Sequence, residues 1–332
     1  MINVYSGETA DIVWQKAHDA ICQEEATSSQ VSRLGLTREL LHVCFSIGDP
    51  RQRWVFSRYP GISPAFAIAE VFWILSGSSN SDFINYWNPA LPHFIGNVKQ
   101  YYGAYGYRIR KQYGVDQLEL AYNALNNNPS SRQVVIQIWD PRTDLPNSDG
   151  TPRDLDIPCN ISSMLKVRNG ELEWMQIMRS NDLYRGTPYN IVQFTVIQEI
   201  ISGWLGLNVG SYNQVSDSLH VYEHDLELFK NTSSNGNFNT DSLAVTKSVF
   251  DSILPNFYGL LLSLSCCELT KENFNKICQN DSLPQSYKNL LLITAADSAR
   301  RRGWKDEVVE AISYCTNQAL ITCWEAWNSR WQ

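Results

Sequence analysis

Charge is sparse in this chain of 332 residues: Asp, Glu, Lys and Arg make up only 18% of it. The balance is acidic, with a formal net charge of -7, so a general nucleic-acid-binding surface is not expected. Local arginines still suffice to bind a small anion. Long hydrophobic runs are also missing. The longest apolar stretch, around Phe66 to Leu75, is too short to span a bilayer, so no membrane association is expected. The N-terminus has no basic segment followed by an apolar run, so no signal peptide is expected. The eight cysteines lack any metal-like spacing. Cys266 and Cys267 are adjacent, which suits neither a zinc site nor an ordinary disulfide framework. Reduced thiols in a cytoplasmic protein without a metal are the expectation. Repeats and low-complexity tracts are absent too. What remains is 43% hydrophobic, ample for a core, in a length that allows one large domain or one domain with an appendage.

One composition shift divides the chain. Asn231 to Asp241 reads NTSSNGNFNTD, which is loop chemistry. Strand and helix patterns mix before it and helical patterns follow it. From Gly303 on, Val308, Ile312, Cys315, Ala319, Cys323, Trp327 and Trp331 recur mostly three or four apart, as on one helix face. The expected division is an α+β domain, 1–235, and a helical appendage, 236–332. Within the first, Pro64 to Leu75 reads as a helix that Ser63 caps. Val134 to Trp139 reads as a strand. Ile161 to Val167 and Leu172 to Met178 read as a hairpin around Asn169-Gly170. Tyr189 to Leu205 reads as an amphipathic helix and Tyr212 to Tyr222 as a strand.

Three places carry chemistry. Glu70 has Phe66, Ala67, Trp73 and Ile74 as helical neighbours. A carboxylate on such a face is costly to ionise, so its pKa should rise toward the range useful for general acid–base work. A helix-edge glutamate reaching solvent or a buried arginine is the other reading. Cys159 follows Pro158 where a loop enters a strand. It reads as a nucleophile if nearby cations lower its pKa, and otherwise as a small core residue. The third place is Arg179-Ser180-Asn181-Asp182 with Gly186-Thr187-Pro188-Tyr189-Asn190. Arginine and serine together suit a phosphate. Asn190, at a helix start, reads as a cap or as a donor–acceptor pair matching the 4-oxo and N3–H edge of uracil.

In this order the segments AEVFWILSG (Ala69 to Gly77), GAYGYRIR (Gly103 to Arg110), NPSSRQ (Asn128 to Gln133), IPCN, RSND, GTPYN and SLHVY (Ser218 to Tyr222) resemble the thymidylate synthase and pyrimidine nucleotide hydroxymethylase superfamily. The resemblance runs from about Glu70 to His224. It implies an α+β fold with a large mixed sheet, working as a homodimer with shared sites, with the helical appendage outside the match. It implies that Cys159 attacks C6 of a pyrimidine nucleoside 5′-monophosphate. C5 then takes the one-carbon unit of 5,10-methylenetetrahydrofolate, with Glu70 moving protons through ordered water. Arg179 and Ser180 would hold the 5′-phosphate and help keep Cys159 ionised. Arg33 would add a phosphate contact, and Arg132 would reach across the two-fold interface to the neighbour's phosphate. Asn190 would read the base, and His220 and Tyr222 would bind the sugar. Tyr105 would sit near the nucleophile. Asp182, Trp87 and Gly186 would meet the folate.

The sequence departs from ordinary thymidylate synthase at Asn160, Met178 and Gln133, where that branch carries histidine, glutamine and a second arginine. Its usual tryptophan pair is not recognisable, with Trp87 and Phe94 nearby. The chain ends Asn328-Ser329-Arg330-Trp331-Gln332 instead of in a short apolar closing tail. Met178 and Asn181 resemble the hydroxymethylase branch and Asn190 the uracil-reading branch. The expected substrate is of dUMP type, with 5-hydroxymethylation favoured over methylation. The rivals are a thymidylate synthase proper, a silent nucleotide-binding regulator, and a cysteine hydrolase pairing Cys159 with His220 or His224.

Overall fold

Ser63 accepts from Phe66 N at 3.1 Å and Pro64 fills the first turn, so the expected helix runs over Pro64–Leu75. The hairpin forms as its turn dictates. Asn169 and Gly170 both take positive φ, 52° and 80°, as a two-residue turn between right-twisted strands requires. The computed structural model describes residues 2–23, 27–230 and 236–331. Asn231–Asn235 of the boundary loop and the terminal Gln332 lie outside the described residues.

The strands are β1 (Asn3–Gly7), β2 (Ser28–Ser32), β3 (Gly35–Ile47), β4 (Val135–Gln137), β5 (Asn160–Arg168), β6 (Glu171–Met178), β7 (Asn181–Asp182) and β8 (Asn208–Tyr222). They form one mixed sheet in the order β1-β3-β8-β6-β5-β4, with β2 beside β3 and β7 beside β8. The first helices are α1 (Ala10–Cys22), α2 (Pro64–Leu75), α3 (Ser81–Trp87), α4 (Leu91–Ile95) and α5 (Tyr105–Tyr107). Then come α6 (Gln117–Asn127), α7 (Pro141–Asp144) and α8 (Thr187–Leu205). The strand expected over 134–139 shortens to β4, because Ile138 and Trp139 both turn their N–H groups to Ile161 O. The α+β class with a mixed sheet is as expected.

The two faces of the sheet differ. Val43, Phe45, Leu165, Trp174 and Tyr212 are buried on one face, which α1 and α8 cover. On the other face, Val4, Cys44, Val215 and Ile177 lie in cross-strand register. Val4 is exposed and the other three are half-buried. These four form an apolar strip on an open face, flanked by Ser6, Ser46, Asn213 and Ser162.

Beyond residue 246 the chain is helical: α9 (Lys247–Ser265), α10 (Lys271–Cys278), α11 (Gln285–Arg301), α12 (Lys305–Tyr314) and α13 (Gln318–Asn328). The single helical face expected after Gly303 is two helices. Asn317 stops the first from continuing into the second: its Oδ1 accepts from Ala319 N and Leu320 N and caps α13. These helices pack on α2. Phe257 of α9 stacks on Phe72, with ring centroids 3.8 Å apart, and α11 and α13 also lie against α2. A cavity of about 20 Å³ remains at this seam, among Arg53, Phe72, Val196 and Leu290. That is room for one water and for no larger ligand.

Candidate active site

Cys159 immediately precedes β5, and Arg179 immediately follows β6. Their backbones join through Arg179 N to Cys159 O at 2.9 Å. The Arg179 guanidinium then folds back onto the nucleophile loop. It donates to Pro158 O and Ile157 O, both at 2.9 Å, and lies 3.9 Å from Cys159 Sγ. Burial pushes the Cys159 thiol above its usual range, while Arg179 pulls it down. Arg179 acts in the expected direction, favouring the thiolate, while desolvation outweighs it.

Glu70 lies on α2 in the apolar setting that its helical neighbours foretell. Burial raises its pKa to about 7, opposed by one hydrogen bond from Gln193. Gln193 Nε2 donates to Glu70 Oε2 at 2.6 Å. Tyr105, on α5, is raised by burial and feels the charges of both Cys159 and Glu70. Nucleophile, phenol and carboxyl therefore share one region. Beside them Asn160 is fully buried, its Oδ1 accepting from Gln176 Nε2 at 2.8 Å. Gln176 is itself fixed by Ser163 and Trp174. The Asn160 side chain also hydrogen-bonds the Tyr105 phenol, whereas Gln193 Oε1 is buried without a partner among the described residues.

A second cluster gathers around β7 and β8. Asp182 pairs with His220 in register, and Ser180 Oγ lies 3.5 Å from His220 Nδ1. Burial lowers the His220 pKa and raises that of Asp182. Asp182 Oδ1 accepts from Tyr184 N at 2.8 Å and Arg185 N at 2.7 Å. Its Oδ2 has no hydrogen bond among the described residues. Tyr222 stands edge-on to His220, with centroids 5.7 Å apart. Asn190 does not cap its helix. Gly186 holds that position, and Asn190 sits a turn inside α8. There it is buried and donates from Nδ2 to Asn181 Oδ1 at 3.1 Å.

A family model described as thymidylate synthase matches residues 62–257, more than half of the chain. The chain belongs to the thymidylate synthase family. It is 30% identical over 320 residues to the deoxyuridylate hydroxymethyltransferase of Bacillus phage SP01, covering 83% of this chain and 81% of that one. It is 30% identical over 179 residues to the deoxyuridylate hydroxymethyltransferase of Pseudomonas phage M6, covering 53% and 50%. It is also 30% identical over 199 residues to the thymidylate synthase of Bacillus subtilis subsp. natto, covering 56% and 67%. The chain thus spans half the length of the M6 protein and most of the SP01 protein.

Three residues carried over from the thymidylate synthase family stand apart from these clusters. Arg33 is exposed in the turn between β2 and β3, where it donates to Leu155 O at 3.2 Å and Phe94 O at 2.5 Å. It thereby touches the loop that leads to Cys159. Arg132 is exposed on the loop before β4. Trp87 departs from expectation: it is 1% exposed and packs edge-on to Phe83 and Tyr86, with Arg301 bonded to its carbonyl. An indole so enclosed is core, not a ligand-facing wall. Phe94 stands nearer the site, with Arg185 5.4 Å above its ring and 5.3 Å from that of Tyr222.

Two features beside these residues escape a reading of the sequence. Asp156, three residues before Cys159, accepts from Gly103 N at 2.8 Å, and burial raises it to about 6. A Cβ at Gly103 would come within 2.4 Å of Asp156 O, so this close approach needs glycine. Gln193 is the other. Its signal was a polar residue inside an apolar helix, one turn beyond Asn190.

Proposed function

We propose that this chain transfers the one-carbon unit of 5,10-methylenetetrahydrofolate to C5 of a deoxyuridine-type 5′-monophosphate and releases a 5-hydroxymethyl nucleotide. The observation that carries the reading is Cys159 held against Arg179, with Tyr105 in electrostatic reach of both that thiol and the Glu70 carboxyl. The phage hydroxymethyltransferases named above support it, the SP01 enzyme over most of its length.

In this reading Cys159 bonds to C6 and turns C5 into an enamine carbon. Arg179 opposes the burial of the thiol and so favours the thiolate. Arg179, Ser180, Arg33 and the partner subunit's Arg132 hold the phosphate. His220 and Tyr222 take the sugar hydroxyl. Asn190, anchored by Asn181, presents its amide to the base. Tyr105 orders the region between thiol and carboxyl, and Glu70 moves protons near neutral pH. Asp182 fits a folate ring through its open Oδ2, which suits a ring N–H donor, and Gly186 lies beside it. Methylenetetrahydrofolate supplies a carbon at the oxidation level of formaldehyde.

The active unit in this proposal is a homodimer, joined through the apolar strip on the open face of the sheet. Its compartment is the cytoplasm, in keeping with eight free thiols. Among the described residues no helix is long and apolar enough to cross a membrane. Residues 236–332 form a helical appendage to a catalytic unit, 1–235, sharing its core.

Release of the 5-hydroxymethyl product needs water at the methylene carbon. The unpartnered Gln193 Oε1 beside the Glu70 carboxyl supports a site that binds water. The similarity to Bacillus thymidylate synthase favours the second reading, methylation with dihydrofolate release. Mass spectrometry of the nucleotide, with absorbance of the folate, separates the two. The expected result with dUMP is a 5-hydroxymethyl base and tetrahydrofolate. Stoichiometric dihydrofolate with a 5-methyl base overturns the proposal.

A further inference from the structure

The Gln193 side chain is 2% exposed and lies on α8, which packs against α2. One end of its amide is committed: Nε2 donates to Glu70 Oε2 at 2.6 Å. The other end, Oε1, is buried with no hydrogen-bond partner. A carbonyl oxygen left unsatisfied in the interior destabilises the fold. The chain keeps an amide here where leucine or methionine would avoid that cost. Beside the nucleophile the other buried amide, Asn160, is spoken for: Gln176 pins its oxygen and its side chain hydrogen-bonds the Tyr105 phenol. A buried acceptor beside the Glu70 carboxyl gives a bound water two groups to donate to.

We propose that Gln193 is the positioning residue for Glu70 and for the water that captures the methylene carbon on C5. It aims the carboxylate with Nε2 and holds the water with Oε1. The inference rests on the hydroxymethylase reading above and deepens it. The step balances without a redox partner. The water oxygen bonds to the exocyclic carbon while a water proton passes to the Glu70 carboxylate. The displaced π pair moves onto C5 and the C4 carbonyl. It then returns to re-form C5=C6 as the C6–S bond breaks and Cys159 leaves as thiolate.

The amide also bears on the proton affinity of Glu70. Burial raises that affinity and the Gln193 hydrogen bond lowers it. Tyr105 on α5 and Tyr189 on α8 also feel the Glu70 charge. No cation and no second carboxylate contributes to the Glu70 shift.

The experiment uses the full-length chain with dUMP and methylenetetrahydrofolate, with and without 2-mercaptoethanol. The added thiol competes with water for the methylene carbon and leaves a 5-thioether nucleotide. Gln193→Met keeps the length and volume of the side chain but removes both amide contacts. Its nucleotide binding should be unchanged, with kcat lowered about 100-fold by a misplaced carboxylate. The acid limb of the kcat profile should move up by about one unit, because the ionised carboxylate has lost its donor. The thioether fraction should rise severalfold over wild type, because the thiol no longer competes with a held water. Gln193→Asn, too short to reach Glu70, should move both readouts the same way and serves if Gln193→Met does not fold. An unmoved acid limb together with an unmoved thioether fraction overturns the assignment. Wild-type release of dihydrofolate instead overturns the hydroxymethylase reading and the water's role. The acid limb of the variants then decides separately whether Gln193 positions Glu70.

Discussion

Glu70 shows at the residue scale how a site trades stability for chemistry. Its pKa of about 7 in the folded chain lies above the ordinary value of 4.5. Below the ordinary value both states hold the proton and the group is neutral toward stability. As pH rises toward 7 the folded state keeps the proton longer than the unfolded chain does, so folding loses stability across that window. Glu70→Gln cannot ionise and retains an amide facing Gln193. It should match wild type near pH 4 and exceed it by up to about 3 kcal/mol at pH 8, while losing most turnover. Denaturant unfolding at the two pH values checks this, and a variant less stable at pH 8 contradicts it. Cys159 carries the complementary expectation. Cys159→Ala should bind nucleotide as wild type does and release no tritium from C5. Substantial turnover would remove Cys159 from the mechanism.

At the scale of elements, α2 is the beam on which both halves of the chain rest. Its inner side carries Glu70 against α8, and Phe72 stacks on Phe257 of α9. The seam also contains a buried ion pair, Arg53 with Glu199. Glu199 Oε1 further accepts from Leu243 N at 2.9 Å, where the chain enters the helical appendage. Phe257→Ala removes a ring that is 0% exposed. It should cost about 3–5 kcal/mol, with strand and helix signals still lost in a single transition. A loss below about 1 kcal/mol, or an early separate melting of the helices, would show an appendage that does not brace α2.

At the scale of the whole molecule, the open sheet face and the stranded Arg132 point to the same remedy. Val4 is exposed and Cys44, Val215 and Ile177 are only half-buried, and Arg132, exposed before β4, is in the proposed function a phosphate ligand for the second copy. In the proposed two-fold dimer each would be met by the second copy. Cys159→Ala and Arg132→Ala, each inactive alone, should regain about a quarter of wild-type activity when unfolded and refolded together in equal amounts, since half the dimers are mixed and hold one intact site. Val215→Asp should leave a monomer by sedimentation. No recovery on mixing would confine the site to one chain.

Local chemistry was enough for the pieces. Ser63 and Pro64 start α2, Asn169-Gly170 closes the hairpin, and the apolar neighbours of Glu70 announce its raised pKa, because each depends on residues within a turn or two. The order of the motifs likewise gathers Cys159, Arg179 and Asp182 without coordinates. The tertiary structure decided what depends on distance along the chain. Gln193 meets Glu70 across 123 residues, a contact that no local pattern encodes. Trp87 is core because helices from beyond residue 246 pack around α3, α9 against its side and Arg301 of α11 on its last carbonyl. The sequence displays Arg179 near Cys159 but not the burial that outweighs it, since desolvation is summed over all the packed neighbours. The break at Asn317 was hidden because the apolar spacing stays in phase through both helices. Periodicity records which side of a helix faces the core, whereas a backbone amide captured by a side chain decides where the helix begins.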